Sequence, residues 1–233
     1  MRRAICIFAL LAWLLGPGAW RATAQLPSLS RLPTDPGGDS ARGAIDGIAA
    51  RIEDDIITES ELHELAAFQQ LTDGHSRPRI ELIQELADQW IVRGEASATK
   101  YPRPSQDDVR RAYEQFVKQF PSITDFQSRC AAAGLDEVGI RRILEQQLYL
   151  SRFLDYRFRP AAQVERQQIE AYYHNEFAPQ LKARGQPVPP MEDVEDTIRE
   201  VLVQRALNDL AQKWLDETRE RLKIDVVAQG ADL

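Results

Sequence analysis

Cysteine is nearly missing from this chain of 233 residues: there are two, beside three histidines and two methionines. Two cysteines exclude a disulfide scaffold and any cysteine-rich zinc module. The histidines, His63, His75 and His174, stand far apart and form no HExxH pattern, so surface and loop positions are expected for them and no metal site. Twelve glycines include no GxGxxG or GxxxxGKS arrangement, so no phosphate-cradling loop is encoded. Positive charge is not in excess either. Lys and Arg number 29 against 36 Asp and Glu, a net charge of -7 that disfavours a general nucleic-acid surface. No cofactor is expected.

What is present begins with an address. Arg2 and Arg3 precede an apolar run from Ala4 to Leu15, broken by Gly16-Pro17-Gly18 and followed by Ala22-Thr23-Ala24. This is the layout of a secretory signal peptide with an A-x-A cleavage pattern, expected over residues 1–24. A spanning helix needs about 20 apolar residues, so no stable membrane span is expected after cleavage. Cleavage would remove three of the 29 basic residues and no acid, taking the net charge from -7 to -10. Cys6 would leave with the signal. Cys130, then alone, is expected to be a small buried apolar residue. Residues 25–43 carry Pro27, Pro33, Pro36 and Gly37-Gly38 without apolar periodicity, and read as a flexible leader.

The body, residues 44–228, reads as mainly α. Ile48, Ala50 and Ile52 alternate as a strand, and Asp54-Asp55 follows as a turn. Thr58 with Glu61 forms a capping box that opens a helix ending at Thr72-Asp73-Gly74. Ile80, Ile83, Leu86, Ala87, Trp90, Ile91 and Gly94 predict the inward face of a second helix. Ser105 with Asp108, Ser122 with Asp125, and Asp136 open three more helices. The last of these runs to about Arg157, with Ile140, Ile143, Leu144, Leu148 and Leu150 along it. Pro160 separates an N-terminal part, 44–160, from a C-terminal part, 161–228. Ile169, Tyr172, Tyr173, Phe177 and Leu181 again have helical spacing. GQPVPP, Gly185 to Pro190, breaks the chain before a long helix from Met191 to about Leu222. Trp90 and Trp214 are assigned to the core. Leu222, Ile224 and Val226 alternate as a closing strand. Pairing the first and last strands covers both, giving a small two-stranded sheet that joins the ends of a helical fold.

The opening segment Ile45 to Leu62 (IDGIAARIEDDIITESEL) resembles the SurA-type periplasmic chaperones and related secreted foldases. Ile48, Ala49, Ile52, Ile57, Thr58, Ser60, Glu61 and Leu62 match that pattern, and Glu53 stands where the family has Asn. Ile80 to Glu95, Ser105 to Tyr113, Ile140 to Phe153, Val164 to Phe177 and Met191 to Val227 resemble its later helices and closing strand. Such foldases usually carry a parvulin-type prolyl isomerase domain between the last two of these segments. Here only Ala178 to Pro190 separates the helices, too little for a domain of about 90 residues.

The resemblance therefore implies a chaperone core without its isomerase and no catalytic residues. It implies an exported, periplasmic protein that holds unfolded or extended polypeptides, outer-membrane proteins among them, without ATP. Tyr113, Phe116, Phe120, Tyr172, Tyr173 and Phe177 sit at helical spacings and are the candidate client-binding side chains, although such stripes are ordinarily core. Excess acidic charge would keep an exposed patch soluble. The rival expectations are a foldase with residual isomerase activity and an adaptor for one dedicated partner.

Overall fold

A computed structural model describes residues 46–227; the expected signal peptide and leader lie outside them. Eleven strands and α-helices follow one another among the described residues. They are β1 (Ile48–Ile52), β2 (Asp55–Thr58), α1 (Glu59–Asp73), α2 (Arg79–Ala98), α3 (Gln106–Val117), α4 (Ile123–Ala133), α5 (Glu137–Phe158), α6 (Arg166–Tyr172), α7 (Ala178–Ala183), α8 (Met191–Arg219) and β3 (Ile224–Val226). A π-helical turn, Tyr173–Phe177, joins α6 to α7. The chain is mainly α with a small antiparallel sheet, as the sequence implies. None of the described helices is long and apolar enough to cross a membrane.

The ends of the fold meet as expected: β1 pairs with β3, Ala50 opposite Val226 and Ile52 opposite Ile224. The sheet has three strands, however, not two, in the order β2-β1-β3. After Ile52 the chain turns back at once and sets Ile57 opposite Ala50 and Ile56 opposite Arg51. Glu53 makes that turn with a φ of 49°, a left-handed conformation that Asn and Gly adopt more readily than Glu. Two bonds hold it there. Glu53 N–H donates to the Lys223 carbonyl at 3.1 Å, and its carboxylate accepts from Lys223 N–H at 2.7 Å.

Helix starts follow the capping signals. Thr58 accepts from Glu61 N–H while the Glu61 carboxylate accepts from Thr58 N–H, and Ser105 and Asp108 repeat the arrangement. Ser122 and Asp136 cap α4 and α5 from their side chains. Gly74 and Gly134 close α1 and α4 in the left-handed region, where a residue without Cβ is unstrained.

Three apolar clusters make the core. The first joins the sheet to α1 and α2, around Ala49, Ile52, Ile57, Leu62 and Ile83. The second joins α2, α5 and α8, around Ile91, Val92, Leu150, Phe153 and Leu215. The third holds α1, α3, α4 and α5 together through Phe68, Phe116, Phe126, Ile140 and Leu144. Cys130 is buried in the third cluster. His63, His75 and His174 are exposed.

Three sequence expectations need correction. Ile80 is half exposed, because the buried stripe of α2 runs through Leu82 and Ile83 instead. Gly94, expected on the same inward face, is exposed. Trp90 and Trp214 are only partly buried, at the edges of clusters. Trp90 keeps its indole N–H at the surface, donating to Asp55 at 2.8 Å, as an amphipathic ring does when its polar tip needs a partner.

Candidate functional site

Helices α1, α2 and α5 do not close on one another completely. They leave a cleft of about 240 Å³. Leu65, Phe68, Leu86 and Ile143 form its apolar part. Gln89, Gln146 and Gln147 line it with amides, and Glu61, Glu64 and Arg142 add charge. Each helix contributes by its own register: Glu61, Leu65 and Phe68 recur at helical spacing on α1, as do Leu86 and Gln89 on α2. Phe68 and Leu65 are anchored in the core clusters, so the apolar part is rigidly placed.

The polar lining is partly satisfied. Gln146 donates to Gln89 at 2.9 Å, and Arg142 is paired with Glu64. The Gln147 side-chain oxygen is buried and accepts no hydrogen bond from the protein. A buried acceptor without a partner costs about 1–3 kcal/mol. A main-chain N–H in the cleft would satisfy it once the Gln147 side chain turned toward it. Drug-sized ligands usually occupy about 300–1,000 Å³; a cleft of about 240 Å³ suits one large side chain and its flanking backbone better than a whole small molecule.

The six aromatic candidates fall into two groups. Tyr113, Phe116 and Phe120 join Phe126 in the third core cluster, with Phe116–Phe120 and Phe120–Phe126 ring centroids 5.4 and 5.0 Å apart. Phe116 is 2 % exposed and can meet no client unless the core opens. Arg141 lies over the half-buried Tyr113 ring at 4.1 Å. Tyr172, Tyr173 and Phe177 lie at the π-helical turn, all half-buried. Tyr173 stacks on Phe177 and donates its hydroxyl to the Pro189 carbonyl at 2.7 Å, which ties GQPVPP to the turn. Arg205 of α8 lies over Tyr172 at 4.7 Å and pairs with Glu176. The ring contacts found run within each group and join neither to the other.

A more exposed aromatic surface lies outside the six candidates. Tyr156 is 65 % exposed and lies 5.3 Å from Tyr101, which also touches Tyr149 and Phe153. Tyr149, Phe153 and Tyr156 follow one another at helical spacing on α5, a signal that was available. Tyr101 comes from the α2–α3 connection, and no periodicity announces it.

Charge is arranged unevenly. Ion pairing with Arg152 at 3.0 Å and hydrogen bonding from Ser105 hold the Asp108 carboxyl far below the usual carboxylate range. On α2 the opposite holds. Burial raises Glu85, against the pull of Arg77, and pushes Asp88 up to about 7 even with Arg219 beside it. No protein-family model matches this chain, and no match was found among curated proteins.

Proposed function

We propose that this protein is an exported, ATP-independent holding chaperone that binds extended polypeptide segments in the cleft between α1, α2 and α5. The observation that carries this reading is the cleft's composition. Its apolar part takes a client side chain by area burial, worth about 25 cal/mol per Å². Its amides, and the unpartnered Gln147 oxygen if its side chain turns into the cleft, offer the client's backbone hydrogen bonds that do not depend on client sequence. Many weak, sequence-tolerant contacts are what a holding chaperone requires. The signal-like first 24 residues support export, and the resemblance of Ile45 to Leu62 to SurA-type chaperones supports a periplasmic role with unfolded outer-membrane proteins as clients.

The test is suppression of aggregation of a chemically denatured, alkylated protein by the chain without residues 1–24. Suppression at stoichiometric amounts is expected. No suppression at about tenfold excess, with the chain folded by circular dichroism, overturns the reading. The small size of the cleft favours one second reading, an adaptor for a single dedicated partner. Capture of one partner instead of many from denatured exported proteins would select it.

A further inference from the structure

Asp88 is 2 % exposed on α2, and it takes no part in the cleft. Its counter-ion is Arg219, the last residue of α8, with Nε 3.0 Å from the carboxylate. The two touch, yet the carboxylate oxygen and the Nε–H form no aligned hydrogen bond, so the ion pair offsets only part of the desolvation of the charge. Beyond Arg219 the chain forms a strap. Leu222 packs against both the first and the second core cluster. Glu53 N–H then donates to the Lys223 carbonyl at 3.1 Å, and Val227 N–H to the Ala49 carbonyl at 3.0 Å, on either side of β3.

Glu85 and Asp216 also repel an ionised Asp88. Glu85, one turn back on α2, faces Arg77 and the neutral amide of Gln69 from α1. On α8, Asp216 shares Arg219. Asp55 of β2 accepts from Trp90, and Arg157 of α5 pairs with Glu95 further along α2. Arg51 of β1 is exposed, and Lys223 pairs with Asp225 beside it.

We propose that the segment from Arg219 to Val227 is a proton-controlled strap, sealed while Asp88 is protonated and opened more often once Asp88 is ionised. Lifting the end of α8 wets Asp88, so an ionised Asp88 gains hydration on opening and a neutral one gains little. In linkage terms, the sealed form keeps its proton up to about pH 7, while the opened form gives it up near the ordinary carboxylate value of about 3.9. Opening is therefore favoured by rising pH, about tenfold between pH 6 and pH 8. An opened strap frees the β1 edge, Ala49 C=O and Glu53 N–H included, for pairing with another extended strand.

Native-state hydrogen exchange on the full chain, corrected for intrinsic rates, tests this at the amides of Glu53 and Val227. Both are expected to exchange faster than the core amides of α5, with opening about tenfold greater at pH 8 than at pH 6. The Asp88→Asn variant is expected to lose that pH response. Exchange at both amides as slow as in α5 would mean that the strap leaves only with the whole fold, and overturns the proposal. So does the same pH response in Asp88→Asn. A carbon-13 titration of Asp88 in the unaltered chain needs no variant, and a midpoint below pH 5 overturns it too.

Discussion

Ile198 and Leu207 lie on opposite sides of α8, and both are sealed from solvent, at 1 % and 0 % exposure. Their separation is about two and a half helical turns. The helix is thus buried on one side near its start and on the other near its middle. It packs against α6 and against α5, and its apolar stripe changes side between them. This explains why Val194, Val201, Leu202, Val203 and Leu210 spread over rather more than half of the circumference of α8. Ile198→Ala and Leu207→Ala are each expected to lower unfolding free energy by about 2–5 kcal/mol. About 13 Å of helix separates the sites, so the double variant should be additive to within about 0.5 kcal/mol in urea denaturation. Coupling well above 1 kcal/mol would place both residues in one packing unit.

A methyl group at Gly47 tests the entry to the fold. A Cβ there would lie 2.9 Å from Glu59 Cγ, too close for contact. Glu59 is held by two bonds from Arg79, at 2.6 and 2.5 Å, and Gly47 C=O accepts from Glu59 N–H at 2.8 Å. The side chain can retreat only by leaving Arg79. Gly47→Ala should cost about 1–2 kcal/mol in urea denaturation. The same change in a Glu59→Ala background should cost much less, and an undiminished cost would show that the clash lies elsewhere.

Capping signals were the most legible part of the sequence. Thr58, Ser105, Ser122 and Asp136 all open helices as expected, because a cap is a local hydrogen bond between residues three apart. The meeting of β1 and β3 was legible because two short apolar strands have few other ways to be covered. The second strand, Asp55–Thr58, was not, since Ile56-Ile57 is too short to show alternation and its pairing rests on the unusual turn at Glu53. The aromatic stripes could be found by spacing, but their exposure could not. Phe116 and Tyr113 stand on the same helix, and only the position of α4 and α5 decides that one is sealed and the other half open. The cleft was illegible for the same reason: Gln146 and Gln147 look like any polar pair until α1 and α2 are set opposite them.

Stability should respond to pH in an unusual direction. Asp88 is raised from its ordinary value to about 7 by burial. Between about pH 4 and pH 7 the folded chain therefore holds a proton that the unfolded chain has already released. The stabilisation from this group is fully present below about pH 4 and is lost as pH rises through 7, by at most about 4 kcal/mol. Asp108 runs the other way. Its depressed carboxyl keeps its contribution at neutral and mildly acidic pH and loses it only in strong acid. Urea midpoints between pH 5 and pH 8 should fall with rising pH in the natural chain, and much less in Asp88→Asn. A midpoint that rises over this range would contradict the assignment.

Gln147 gives the sharpest separation of binding from stability. Its side-chain oxygen is buried and accepts nothing from the protein, while the residue lines the cleft between α1, α2 and α5. Replacing it by Leu removes an unsatisfied acceptor of similar volume, and the fold should gain up to about 1–3 kcal/mol in urea denaturation. If that oxygen receives a client backbone N–H, the same variant should hold denatured protein less well at equal concentration. A residue placed only for packing would not raise stability and lower holding together, since a better-packed fold with an untouched binding surface has no reason to lose clients. Gln147→Leu with improved stability and unchanged suppression of aggregation would argue against client binding in this cleft, with the surface formed by exposed Tyr156 and half-buried Tyr101 next to be tested.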